Sequence, residues 1–313
     1  MDVLVLGATG FLGGHIAEHL RTFPGARVLR AGHSAAADLR IDLANETVEG
    51  LAALLADLRP AAVVNCAGAV TGDALLQTGL NARGPAVLAA ALRAALPGTR
   101  LVHLGSAAEY GACEHGSSLA ETAAPRPGGL YGATKLAGTL AVADAAAEGQ
   151  DAVVLRVFNP IGPGAPGTSL AGRLAAELRR VGPDGTVTLG DLSAHRDFVD
   201  ARDVARAVGT VLAAAHPLPP VVNIAGGEAR PVRAVADALV AAARFGGRIE
   251  EHGAGSERSA AVSWQQADIS TARALGWEPR TTLADSLADL WHGLKAAEDA
   301  TNGTPNDSRG RAA

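Results

Sequence analysis

The chain has 313 residues, 48% hydrophobic and 19% charged, enough for a large α/β core and too apolar for wholesale disorder. Lys and Arg number 27 against 32 Asp and Glu, a net charge of −5, and Phe, Trp and Tyr make up only 3%. A nucleic-acid partner, which needs a basic face or stacking aromatics, is therefore not expected.

In chain order, short β-type runs at about 2–6, 27–30, 61–65, 100–104 and 152–157 alternate with alanine-rich helical stretches, and a weaker strand falls around 39–41. This alternation predicts βαβ units, hence an α/β fold with a parallel sheet covered by helices on both faces. After Phe158 a Gly/Pro-rich loop, Asn159 to Gly167, marks the exit from the sheet. A helix near 168–180, a strand near 187–190, a helix near 201–214, a strand at 221–224 and helices near 231–243 and 283–298 follow. The expected organisation is a first domain over 1–160 and a smaller lobe over 161–298, with about 197–224 returning to the first domain. The polar segment 299–313 is expected to be a flexible tail.

The apolar stretches are all interrupted; Leu51 to Val70, for example, contains Asp57, Arg59, Pro60 and Asn65. With no basic leader before Val3, neither a signal peptide nor a membrane span is expected, and the expected location is cytoplasmic. Cys66 and Cys113 have no metal spacing and suggest no disulfide framework.

Gly7-Ala-Thr-Gly10-Phe-Leu-Gly13 lies between the first strand and the first helix. Glycines there permit a tight turn, close backbone approach to a pyrophosphate and close helix–sheet packing. The helix then offers its unpaired N–H groups and positive dipole end to the phosphates. Beside it, His15-Ile-Ala-Glu18-His19 matches an inverted zinc motif. No third ligand suggests itself downstream, and no metal is expected.

Tyr131-Gly-Ala-Thr-Lys135 places a phenol and an ammonium one helical turn apart. A neighbouring ammonium stabilises phenolate and makes tyrosine a usable proton donor near neutral pH. The chain holds two lysines and two tyrosines, so this spacing arises by chance with odds of only about 1%. Ser106, in Leu104-Gly105-Ser106-Ala-Ala-Glu109-Tyr110-Gly111, sits at the C-terminal end of an expected strand, where sites of open parallel sheets lie.

Together these motifs resemble the extended short-chain dehydrogenases/reductases, the NAD-dependent epimerase/dehydratase family, from residue 2 to about 296. Further matches are Leu155 to Pro163, His195 to Ala205, Asn223 to Gly227 and Leu275 to Pro279. Phe158 to Gly164 and Leu189 to Asp203 are most similar to the GDP-4-keto-6-deoxy-mannose reductases. The resemblance implies a Rossmann-like, doubly wound sheet with a smaller C-terminal substrate lobe. It implies a catalytic triad of Ser106, Tyr131 and Lys135. For the cofactor it implies Gly7, Thr9, Gly10, Phe11, Leu12, Gly13, Asp42, Leu43, Cys66, Ala67, Gly68, Asn81 and Phe158, with Tyr131 and Lys135. For the substrate it implies Ser106, Ala107, Asn159, Arg196 and Arg258.

Two departures bear on the reaction. Family 4,6-dehydratases carry an Asp-Glu pair after the catalytic hydroxyl residue; here Ala107 and Ala108 stand there and can move no proton, which argues against dehydration. Gly128-Gly129-Leu130 replaces the Asn-Pro-Tyr usual before the family's Gly-x-x-Lys. The expected activity is NAD(P)H-dependent reduction of a keto group, on a 4-keto-6-deoxy nucleotide sugar. A nucleotide-sugar 4-epimerase and a ketoreductase of a non-sugar natural product stand as alternatives. NADP(H) is expected to be preferred, with NAD(H) permitted, because Arg30, His33 and Ser34 follow the second strand where an NAD site wants an acid. A homodimer is expected.

Overall fold

The structure, a computed structural model, describes residues 1–215, 217–252 and 262–302, with side chains described as far as Leu294. In chain order it forms β1 (Asp2–Leu6), α1 (Phe11–Arg21), β2 (Arg27–Gly32), β3 (Leu39–Arg40), α2 (Val48–Leu58), β4 (Ala62–Asn65) and α3 (Ala74–Thr78). A π-helical turn, Gly79–Arg83, leads into α4 (Gly84–Ala95), β5 (Arg100–Ser106), a 3-10 turn (Ala107–Glu109), α5 (Leu130–Ala147), β6 (Ala152–Val157) and β7 (Pro160–Ile161). Then come α6 (Leu170–Val181), β8 (Thr186–Leu189), β9 (His195–Asp197), β10 (Val199–Asp200), α7 (Ala201–Ala213), β11 (Val221–Ile224), β12 (Ala229–Pro231), α8 (Arg233–Ala243) and β13 (Arg248–Glu251). Two helices, Ser270–Ala274 and Leu283–Asn302, complete the described chain.

Seven strands form one parallel sheet in the order β11-β6-β5-β4-β1-β2-β3. Val3, Leu4, Val5 and Leu6 of β1 are all buried, as a central strand covered on both faces requires. Alternate side chains divide the core. Val3, Val5, Val64, Val102 and Leu155 face α1 and α7, whereas Leu4, Leu6, Val63, Leu101 and Val154 face α2, α4 and α5. The strand order reverses at β1, between β4 and β2, so the crevice for a ligand opens above the C-terminal end of β1. All of the central strands expected from the sequence form.

A separate apolar cluster joins α6, α8 and the closing helix through Leu174, Leu178, Val235, Leu239, Leu287 and Trp291. Around it lie two-stranded ladders: β7 with β10 in parallel, β9 with β12 antiparallel, and β8 with β13 in parallel. Of these six short strands the sequence reading finds only β8, because segments of two to four residues carry almost no periodicity. The closing helix runs to Asn302, into the segment read as a flexible tail; residues 303–313 lie outside the described residues. No helix among the described residues is long and apolar enough to cross a membrane.

Candidate active site

The turn after β1 has room for glycine alone at two places. Gly7 has φ +73°, and a Cβ there would lie 2.7 Å from the Ala67 nitrogen. At Gly13 a Cβ would lie 2.1 Å from the Gly7 carbonyl oxygen. Gly10 caps α1 without any side-chain hydrogen bond, so the first-turn amides are not covered by a local acceptor. Thr9 and Gly10 are exposed at the crest, with Phe11 and Leu12 half-buried behind them. This bare, backbone-lined cradle at a helix N-terminus fits a pyrophosphate.

At the end of β2 the fold brings in a residue that the sequence reading leaves out. Arg30 and His33 stand there, but folding returns Asp38 beside Arg30, whose guanidinium donates to Asp38 at 2.8 Å and to the Ala36 carbonyl. An acid absent from the local sequence is thus supplied eight residues on. Ser34 is half-buried and its hydroxyl accepts from the Ala36 amide. Asp42 is exposed and accepts from Asn45, whereas the Leu43 side chain is buried in the sheet core and can offer a ligand only its backbone.

Beside β1, the exit of β4 runs through Cys66, Ala67 and Gly68. The fully buried Asn81, held in the π-helical turn, accepts from the Ala69 amide at 2.8 Å and donates to the Ala69 carbonyl and to Thr134 of α5. Both hydrogens of its amide are thereby used inside the protein. Asn81 ties the β4 exit to α5. A Cβ on Gly68 would come 3.2 Å from the Asn81 oxygen and 3.9 Å from Lys135 Nζ, so this loop lies directly over the lysine.

Ser106 ends β5, and α5 brings Tyr131 and Lys135 to the same region. The Ser106 hydroxyl accepts from the Ala108 amide at 3.2 Å, which leaves its proton to donate outward. Tyr131 is half-buried in the first turn of α5. Lys135 is buried and donates to the Leu104 carbonyl at 2.5 Å. Burial pushes its ammonium down to about 8 from the ordinary 10.5, against the opposing pull of Glu109. Burial also pushes the neighbouring Cys66 thiol up to about 12, so Cys66 is no nucleophile.

On the other side of the crevice, Asn159 follows β6 with φ +28° and donates to the Asp197 carbonyl and to Gln265. Arg196 of β9 is buried and donates to the His195 carbonyl. Among the described residues no carboxylate pairs with it, and burial holds its guanidinium below the usual range. A buried, acid-free guanidinium is costly unless an anion joins it. Phe158 is fully buried with Tyr110, Ala225 and Ile269, and Ala107 is buried in the same cluster, so neither side chain offers a contact surface to a ligand. Arg258 lies outside the described residues. His15 of the rejected zinc motif donates from Nε2 to the Pro163 carbonyl at 2.8 Å, and His19 packs edge-on against Phe23.

Sequence reasoning missed three buried residues behind this site. Glu109 accepts from the Ser106 amide, Thr139 of α5 and Arg156 of β6. Asp197 accepts the amides of Gly226, Gly227 and Ala267, drawing the β12 side and the segment before Ser270–Ala274 toward Arg196. Asn223 receives the Tyr110 hydroxyl and donates to the Leu119 carbonyl. Glu109 had a local signal, the Ser-x-x-Glu spacing of a capping box from Ser106, whereas Asp197 and Asn223 lie in segments matched to the family but with no local sign of what they bond.

Residues 3–225 match the NAD dependent epimerase/dehydratase family. A dTDP-6-deoxy-L-talose 4-dehydrogenase (NAD(P)(+)) from Kitasatospora kifunensis is 37% identical over 303 residues, covering 92% of this chain and 94% of the relative. A GDP-6-deoxy-D-mannose reductase from Pseudomonas aeruginosa is 26% identical over 297 residues, covering 91% and 94%. Among solved structures, the Thermus thermophilus UDP-glucose 4-epimerase complexed with NAD aligns with a TM-score of 0.82 and 26% identity, over 95% of this chain and 100% of that one.

Proposed function

The chain belongs to the NAD dependent epimerase/dehydratase family, an NAD(P)-dependent oxidoreductase fold that acts on nucleotide sugars, and from that premise we propose that it reduces the 4-keto group of a 4-keto-6-deoxy nucleotide sugar. One observation carries the proposal. Ser106 and the Tyr131–Lys135 helix share a site in which the two residues after Ser106 are Ala107 and Ala108, so the site has a donor pair for a carbonyl oxygen and neither of those two positions can move a proton for elimination. The two curated relatives are named for oxidoreduction of 6-deoxy nucleotide sugars, one of them at position 4.

The cradle of Gly7, Gly10 and Gly13 would hold the dinucleotide's pyrophosphate, with Cys66 to Gly68 beside it and Lys135 beneath that loop. The bound reduced nicotinamide supplies a hydride. Ser106 donates a hydrogen bond to the carbonyl oxygen and Tyr131 delivers the proton that completes the alcohol. Lys135 stabilises the phenolate left behind. Arg196 and Asn159 hold the nucleotide-sugar side, the guanidinium taking the diphosphate as the anion it lacks within the described protein.

NADPH is the proposed preferred reductant, through Arg30, His33 and Ser34; its 2′-phosphate would have to displace Asp38 from Arg30. A homodimer is proposed through α5, where Ala133, Ala137 and Leu140 make an exposed apolar stripe at helical spacing. The reaction is tested with reduced nucleotide deuterated at nicotinamide carbon 4 and a 4-keto-6-deoxy nucleotide sugar. Deuterium at sugar carbon 4 supports reduction; recovery of the keto sugar unchanged, with the label still on the nucleotide, contradicts it.

A further inference from the structure

Behind the site lies a charged pair that none of the proposed chemical steps uses. Glu109 is fully buried, and its carboxylate is shared among three elements. One oxygen accepts the Ser106 amide at 2.7 Å and the Thr139 hydroxyl at 2.9 Å; the other accepts Arg156 Nε at 2.7 Å. Ser106 ends β5, Thr139 is one turn beyond Lys135 on α5, and Arg156 belongs to β6. The neighbouring chain is shaped around this carboxylate: a Cβ on Gly105 would lie 2.8 Å from Glu109 Oε1. Arg156 in turn stacks over the Tyr110 ring at 4.5 Å, and Tyr110 donates to Asn223.

We propose that Glu109 is a positioning residue that fixes Ser106 and the Tyr131–Lys135 helix in one frame and serves as the counter-charge of the Lys135 ammonium. The inference rests on the reading of Ser106, Tyr131 and Lys135 as the reacting groups. Geometry supplies the first half, because Glu109 bonds both to the strand end that presents Ser106 and to the helix that presents the other two. Electrostatics supplies the second. The titratable groups around Lys135 are Glu109, Cys66 and His103 on neighbouring elements, with Tyr131 one turn back on its own helix and Arg156 and Tyr110 beyond Glu109. Burial pushes the His103 imidazole well below its ordinary value and the Cys66 thiol up, so both are neutral near pH 7. Glu109 bonds to Thr139, one turn beyond Lys135 on α5, and to Ser106, two residues beyond the Leu104 carbonyl that Lys135 reaches, so among the described residues it is the carboxylate placed to act on the lysine.

The test is the pH dependence of kcat and KM for Glu109→Gln in the full chain. Glutamine keeps an acceptor for Ser106 but removes the charge, so the alkaline limb of kcat should move to lower pH by about one unit, with dinucleotide Kd unchanged. A limb that stays in place overturns the counter-charge. If Glu109→Gln fails to fold because Arg156 is left buried and unpaired, the double variant Glu109→Gln/Arg156→Met removes both charges and carries the same expectation. Thr139→Val tests the tether separately: kcat should fall about tenfold with the limb unmoved, and an unchanged kcat overturns the positioning role. Tyr131→Phe is assayed in parallel. If it retains turnover, the underlying reading fails; if it is inactive while the Glu109 and Thr139 variants behave as wild type, only this inference fails.

Discussion

The two walls of the crevice are built by different means. On the sheet side, Ser106 and the glycine turn follow strands of the central parallel sheet and Lys135 stands on an eighteen-residue helix; the Ser106 amide is held by Glu109, Lys135 by the Leu104 carbonyl and Gly7 by the Ala31 carbonyl. On the other side, Arg196 stands on a three-residue ladder and Asn159 in the turn between β6 and β7, tied to the Asp197 carbonyl, while the Asp197 carboxylate gathers the amides of Gly226, Gly227 and Ala267. The first wall fixes side chains before any ligand arrives, as proton and hydride chemistry demands. The second leaves a buried guanidinium without an acid among the described residues, which the proposed function fills with the diphosphate. On the proposed reading the reacting groups belong to the first wall and the substrate contacts to the second.

This contrast can be broken at either wall. The largest effect is expected from Tyr131→Phe, which should lower kcat by about 10²- to 10⁴-fold while dinucleotide titrations give an unchanged Kd. Arg196→Ala should act on the other wall, raising KM for the nucleotide sugar by about 10- to 100-fold with kcat little altered. A kcat loss in place of a KM rise would move Arg196 into the chemistry.

The pH dependence should follow the first wall. Lys135 is pushed down to about 8 in the fold, so reduction should slow as pH rises through about 8 and the ammonium is lost. Stability should move the opposite way. Between about 8 and the ordinary 10.5 the unfolded chain holds a proton that the folded chain has released, so the contribution of Lys135 should raise denaturant midpoints with pH across that window, and Lys135→Met should remove that rise. The smallest effect concerns the cofactor: NADPH should bind about threefold more tightly than NADH, and Arg30→Ala should narrow the gap. Tighter binding of NADH would mean that Asp38, rather than Arg30, sets the choice.

The first wall was also the legible one. Fully apolar strands such as Val3 to Leu6, glycines at positions where a Cβ collides, and a Tyr and a Lys one helical turn apart are all local signals. The second wall is assembled from distant segments. Gln265 meets Asn159, and Asp197 meets Gly226 and Ala267, and no short window of sequence contains both members of either pairing. Asp38 turning back onto Arg30 is a closer pairing, yet it depends on a loop conformation that composition does not specify. Asn81 and Leu43 show a subtler limit. Both side chains are buried, Asn81 bonded to Ala69 and Thr134 and Leu43 packed in the core, and local spacing does not report burial.

The central claim is net reduction, and the stoichiometry of the reduced cofactor tests it most directly. Enzyme, a 4-keto-6-deoxy nucleotide sugar and NADPH are mixed, and loss of reduced-nicotinamide absorbance is compared with alcohol formed. One equivalent of NADPH consumed for each equivalent of 4-hydroxy product is the expected result. Interconversion of UDP-glucose and UDP-galactose with no net change in the cofactor, alongside inactivity on the keto sugar, would contradict the account and make the protein an epimerase.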